Sequence, residues 1–252
     1  MGRRFVDLSD TLANGKCEPL PHEIKYMDHA QGAKQAAEHF GLDPSDFPDS
    51  KAWSVEMVNL CTHSGTHVDA PYHFGPASGD EPARTVDEIP LEWCYGDGVV
   101  LDFSDRPAGY LITVDDVKEA LKKINHRIKP RDIVLIRTDV WKKFGEPGYQ
   151  NVHPGMSEEA TLWLIDQGVK MMGIDAWGWD RPFHVMADEY RQGVKGKLWA
   201  GHFAGKIKEY CHIEKLTNLD KLPPTGFRVA CFPIKIRAAS AGWARVVAIF
   251  EE

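Results

Sequence analysis

Long apolar runs are missing from this chain of 252 residues. Nothing approaches the roughly 20 consecutive apolar residues that a membrane-spanning helix needs, so no membrane partner is expected. Patterned cysteines are missing too. The five present (Cys17, Cys61, Cys94, Cys211, Cys231) are odd in number, widely spaced and without a Cys-x-x-Cys pair, which argues against a disulfide framework or a zinc knuckle. Nor is there an excess of positive charge: 30 Lys and Arg stand against 37 Asp and Glu, a net charge of −7. With no basic cluster interleaved with aromatics, nucleic acid is not expected as a partner. Acidic tails, internal repeats and low-complexity segments are absent. Arg3-Arg4 does not read as a twin-arginine leader, because Asp7 and Asp10 interrupt the apolar region it would need. Met1-Gly2 does not read as a myristoylation signal, because Val6 stands where Ser or Thr is required. A cytoplasmic protein is expected. The 43% of hydrophobic side chains can bury a substantial core, and residues 1–252 are read as one domain.

Helical and strand signals alternate along the chain. Asp28 to Phe40 reads as a helix closed by Gly41. Thr113 caps a second, with Asp115 and Asp116 in its first turn and Val117, Leu121 and Ile124 on its apolar face. Ser157 caps a third, with Glu158 and Glu159 complementing the dipole, Ala160, Trp163 and Leu164 buried, and Gly168 ending it. Strands are expected at Val99 to Phe103, Ile133 to Arg137, Val169 to Ile174, Arg228 to Phe232 and Arg245 to Phe250. The class is α/β. Alternation in the middle predicts parallel pairing, and the short Pro- or Gly-containing turns near the C-terminus predict antiparallel pairing. The polar, weakly periodic stretch from Asp180 to Lys197 reads as a long active-site loop.

The segment that speaks most directly to function is His63-Ser64-Gly65-Thr66-His67-Val68-Asp69-Ala70-Pro71-Tyr72-His73. Imidazoles and carboxylates are the usual ligands of a borderline divalent metal. In a straight strand His63 and His67 would stand roughly 13 Å apart and could not share an ion. The chain must therefore bend, and Gly65 permits it. Pro71 keeps Ala70 out of helical conformation. A strand from about Val55 to Thr62 is expected to turn sharply and bring His63, His67 and Asp69 around one point, with His73 just beyond.

The run His-x-Gly-Thr-His-x-Asp-x-Pro-x-His resembles the signature of the metal-dependent cyclase family, which includes bacterial kynurenine formamidases and isatin hydrolases. Similarity extends from Phe5-Val6-Asp7-Leu8-Ser9 through Ile89-Pro90-Leu91-Glu92, Pro154-Gly155-Met156-Ser157 and Gly173-Ile174-Asp175 to Phe232-Pro233-Ile234-Lys235-Ile236. The resemblance implies a swivelling β/β/α fold with a mixed sheet. It further implies metal ligation by His63, His67 and Asp69 and proton transfer by His73. Some members hold a second ion through a His and a Glu twelve residues later, and His202 and Glu214 have that spacing, which spacing alone would not have singled out.

Asp175 ends a buried strand and opens Asp175-Ala176-Trp177-Gly178-Trp179-Asp180-Arg181-Pro182-Phe183. Asp175 either faces a cleft or caps a turn. Trp177 and Trp179 either line a pocket for a flat ligand or bury at a subunit contact. Kynurenine formamidases have small residues and Pro after the equivalent Asp, and this chain departs from them there. Cys61 beside a His could form a nucleophilic pair, but its expected place inside a strand favours simple burial. His153 is a weaker site candidate, and His22, His29, His39, His126 and His212 read as structural or solvated.

A site of two His and one Asp leaves much of a divalent charge uncompensated, so water there can approach a pKa of about 7. The expected activity is hydrolysis of the C–N bond of a small aromatic amide, either an N-formyl arylamine such as N-formylkynurenine or a cyclic amide such as isatin. A lactone hydrolase with the same site, a metal-dependent lyase or cyclase, and a non-catalytic metal-binding protein are the alternatives. One or two ions per chain are expected, zinc or manganese first, although His and Asp donors also admit iron or cobalt. A small-molecule substrate and a homo-oligomer, dimer or dimer of dimers, complete the expectation.

Overall fold

The computed structural model describes residues 2–15 and 23–251, so Cys17 and His22 lie outside the described residues. Short runs rich in Val and Ile in the middle of the chain form the centre of a mixed nine-stranded sheet. Across it the strands run Arg3–Asp7, Val247–Glu251, Arg228–Ala230, Tyr95–Asp102, Ile133–Arg137, Met171–Ile174, Cys211–Glu214, His67–Asp69 and Ala241–Trp243. The four from Tyr95–Asp102 to Cys211–Glu214 pair in parallel. All other neighbours in this sheet pair antiparallel. The expected parallel centre and antiparallel C-terminal pairing are both present, and the mixed α/β class holds.

Parallel strands are covered on both faces, because their crossover connections lie there. Alternation then sorts the side chains. Val99, Leu101, Val134, Ile136, Met172 and Ile174 enter one apolar cluster, and Val100, Ile133, Leu135 and Met171 the other. Helices Val114–Lys123 and Glu158–Asp166 cover the first cluster with Val117, Ala120, Leu121, Ala160, Leu164 and Ile165. Each fully buried aliphatic side chain contributes ~1.5–3 kcal/mol. Both helices start where their caps predict. The Thr113 hydroxyl accepts from the Asp116 amide (3.3 Å), the Thr113 amide donates to the Asp116 carboxylate (2.9 Å), and the Ser157 hydroxyl accepts from the Ala160 amide (3.0 Å).

Contacts divide the chain into two compact units, Met1–Leu12 with Thr62–Glu252, and Ala13–Cys61. The sequence of the large unit is thus interrupted by that of the small one. The small unit holds a helix, His29–Phe40, capped by Asp28 and ended by Gly41, and a hairpin of Glu23–Met27 with Val55–Asn59. This corrects the expectation of one strand from Val55 to Thr62 leading into the site: Val55–Asn59 pairs within the small unit, and His67–Asp69 is a separate strand.

Asp180 to Lys197 is not one long loop, because Phe183–Arg191 is a helix. Phe183, Met186 and Tyr190 have helical spacing, but the charges between them hide it from a search for apolar periodicity. A further helix, Ala200–Ile207, was not foreseen. Its small residues allow close packing: a Cβ at Gly205 would lie 2.1 Å from the Phe74 ring. Among the described residues no helix is long and apolar enough to cross a membrane.

Candidate metal centre

Strand register builds the core of the site. His67 lies opposite Glu214, and Asp69 lies opposite His212. Because side chains alternate along a strand, His67 and Asp69 share one face with His212 and Glu214. Val68 and Ile213, between them, point the other way into the second apolar cluster. Ala241–Trp243 pairs along the far side of His67–Asp69, so this short polar strand is flanked on both edges.

The turn before it delivers His63. Gly65 has φ +60°, and a Cβ there would meet the Leu12 side chain at 2.5 Å, so the bend read from the sequence requires glycine. His63 Nδ1 comes to 2.8 Å from Asp69 Oδ1, beside His67 Nε2 at 3.2 Å. After the strand Ala70 is extended, and Pro71 opens a one-turn helix, Pro71–Phe74. That turn places His73 Nε2 3.8 Å from Asp69 Oδ2. The Ala200–Ile207 helix supplies His202, whose Nε2 is 3.9 Å from Asp69 Oδ2 and 3.4 Å from Glu214 Oε1. The structure therefore brings His63, His67, Asp69, His73, His202 and Glu214 together around one carboxylate.

The far nitrogens of these rings are tied down, which sets the near ones. His67 Nδ1 can only donate to the Gly65 carbonyl (2.8 Å). His202 Nδ1 lies 2.5 Å from Asp180, whose carboxylate also accepts from the amides of Gly201 (2.7 Å) and His202 (2.9 Å). His63 Nε2 contacts the Ser240 hydroxyl (3.0 Å). Glu214 Oε1 accepts from the Trp179 amide (2.9 Å). Yet His67 Nε2, both Asp69 oxygens and His212 Nε2 are buried without a hydrogen-bond partner.

The electrostatics demand positive charge at the centre. Burial pushes the Asp69 carboxyl up, but the imidazoles gathered around it, His67, His73, His212 and His63, outweigh it and hold it well below the usual carboxylate range. Glu214 is likewise held low, the imidazoles of His202 and His212 overcoming its burial. Burial opposes charge on His202, but Asp180 and Glu214 raise it to about 10. His73 goes the other way, pushed down to about 4 chiefly by burial, with the charge of Asp69 opposing. Two ionised carboxylates among several imidazoles suit a divalent cation that displaces ring protons when it binds. Orphaned, convergent N and O donors with oriented rings fit that cation.

Other sequence candidates fare differently. Trp179 is fully buried, donates to Thr161 Oγ1 (3.0 Å) and stacks on His212, so it supports the site from below and cannot line a pocket. Asp175 is also fully buried. Its carboxylate accepts from the Thr138 amide and hydroxyl (2.6 Å each) and the Asp139 amide (3.0 Å), which makes it a turn cap and removes it from substrate contact. Trp177 is half-buried, edge-on to Phe183 at 5.2 Å and packed against the first cluster. Cys61 is half-buried and lies outside the strand expected to hold it. His153 is buried, with Nδ1 donating to the Pro154 carbonyl.

Three residues were missed. His212, read as structural, is fully buried with Nε2 3.1 Å from Asp69 Oδ2 and 3.3 Å from Glu214 Oε1. Asp180 orients His202. Trp199, half-buried, stacks on His202 at 4.2 Å and stands edge-on to His73 at 5.1 Å. The one signal available for His212 was the alternation His212-Ile213-Glu214, which repeats that of His67-Val68-Asp69.

Residues 6–181 match a family model described as a putative cyclase. The chain is 27% identical over 194 residues to a kynurenine formamidase of Erythrobacter litoralis, covering 77% of this chain and 76% of that one. It is 27% identical over 216 residues to an isatin hydrolase of Roseibium aggregatum, covering 79% and 74% respectively. Among solved structures, isatin hydrolase A from Ralstonia solanacearum superposes with a TM-score of 0.77 at 26% identity, over 99% of this chain and 92% of that one.

Proposed function

The chain belongs to the cyclase family, and from that premise we propose that it is a metal-dependent hydrolase of a small aromatic amide, either an N-formyl arylamine or a cyclic amide such as isatin. The observation that carries this reading is the set of buried acceptor atoms without hydrogen-bond partners, His67 Nε2, both Asp69 oxygens and His212 Nε2, in a cluster with four further donor residues. His63, His67 and Asp69 would hold one ion, and His202 and Glu214 with Asp69 would hold a second. A divalent ion bound there supplies Lewis acidity for the scissile carbonyl and lowers the pKa of the attacking water.

The protein's own groups do the rest. His73 is kept neutral at pH 7 by its burial, and its Nε2 is too far from Asp69 for a hydrogen bond. That lone pair takes the proton of the attacking water and passes it to the leaving nitrogen. Trp199, edge-on to His73, forms a flat wall for an aryl ring.

The test is turnover of aryl formamides, isatins and lactones by metal-replete protein in ¹⁸O-water. Hydrolysis of an amide with one solvent oxygen in the product is expected. Product without solvent oxygen means a lyase, turnover of lactones alone means a lactonase, and either outcome overturns the reading.

A further inference from the structure

We infer that His212 completes a closed four-ligand metal position with Asp69, His202 and Glu214, distinct in character from the open position at His63 and His67. This rests on the metal-dependent reading above and adds to it a ligand that the motif does not contain, together with a division of labour between two positions.

The tautomer of His212 comes first. The Tyr210 hydroxyl has one hydrogen, and the Gly201 carbonyl, 3.0 Å away, can only accept it. The same hydroxyl lies 3.1 Å from His212 Nδ1 and must then accept from that nitrogen. The ring proton is thereby placed on Nδ1, and Nε2 is left with a bare lone pair. That lone pair is fully buried, makes no hydrogen bond and points at Asp69 Oδ2 and Glu214 Oε1. Ring packing locks it there: His212 is stacked between Phe74 (5.1 Å, 29°) and Trp179 (5.3 Å, 14°).

The carboxylates divide their oxygens between two sides. Asp69 Oδ1 faces His63 and His67, whereas Oδ2 faces His202 and His212, with His73 Nε2 at 3.8 Å on its exposed side. Glu214 Oε1 faces His202 and His212, and its Oε2 is 3.7 Å from His67. Asp69, His202, His212 and Glu214 are all buried, and four protein donors fill the coordination of a tetrahedral ion such as zinc without leaving room for solvent. His63 and His73, by contrast, keep about a quarter of their side chains exposed. The inner position is therefore structural and electrostatic, and the outer one takes the substrate.

The experiment uses the full chain, stripped with a chelator and titrated with zinc against a competing chromophoric chelator. The wild type should bind one tight and one weaker ion. His212→Ala should lose the tight ion and keep the weaker, and His63→Ala should do the reverse. Tyr210→Phe, which removes the acceptor of the Nδ1 proton, should weaken the tight ion roughly 10- to 100-fold. If His212→Ala fails to fold by circular dichroism, His212→Gln, which keeps a neutral polar side chain, replaces it in the same titration. Retention of both ions at wild-type affinity in the His212 variant overturns the inference. A protein that hydrolyses amides with one ion and is indifferent to His212 overturns this inference alone. One that binds the tight ion through His212 but turns over no amide overturns only the functional reading.

Discussion

Replacing Asp180 tests how far the centre depends on a residue that touches no ion. Its carboxylate satisfies two amides at the N-terminus of the Ala200–Ile207 helix, Gly201 and His202, and also fixes the His202 ring. Asp180→Ala leaves both amides buried without acceptors. At roughly 1–3 kcal/mol for each, the loss is about 2–6 kcal/mol, a large part of the ~5–15 kcal/mol that typically holds a domain folded. The measurement is urea unfolding of chelator-treated protein, so that weaker ion binding does not add to the loss. Asp180→Asn should recover only part of it: its carbonyl can accept from one amide, but its NH₂ then confronts the donors of His202. In metal titrations either variant should also bind zinc roughly 10- to 100-fold more weakly, because His202 is no longer oriented. A loss below about 1 kcal/mol for Asp180→Ala, with zinc affinity unchanged, would refute the argument that this carboxylate organises the centre.

His67→Ala should lose the weaker ion of the outer position together with activity, as judged by metal titration and turnover, since it removes a ligand from a position with few to spare. His73→Ala should keep its ions and lose roughly 10²- to 10⁴-fold in kcat; loss of metal to the same degree as His67→Ala would make His73 a ligand. Asp175 gives a pH prediction. Burial raises its carboxyl to about 7, with the hydrogen bonds from Thr138 and Asp139 opposing. The folded state then holds a proton that the unfolded chain has lost. Stability from this group is greatest below about pH 4, falls by up to about 4 kcal/mol as pH rises to 7, and is level above. Asp175→Asn should lack that slope, so the difference in unfolding free energy between variant and wild type should change between pH 5 and pH 8. A constant difference would mean that the group is ionised throughout.

What the amino-acid sequence determined by itself was local. A cap needs only its own few residues, so the helix starts at Asp28, Thr113 and Ser157 were legible. The bend at Gly65 and the break at Pro71 follow from the φ each residue permits, so the gathering of His63, His67, Asp69 and His73 could be argued from eleven residues. Resemblance to a family brought in His202 and Glu214, which no local rule connects to them. Tertiary structure decided the rest. His212 faces Asp69 only because Cys211–Glu214 pairs antiparallel with His67–Asp69 in one register, and a shift of one residue would turn it to the opposite face. Strands of three or four residues, polar on one face, are too short to show a period of two. Trp179 and Asp175 sit in a stretch that reads as a pocket, yet packing and hydrogen bonds bury both. Which side of a short segment meets solvent is a property of what packs on it, and those partners lie far away in the chain.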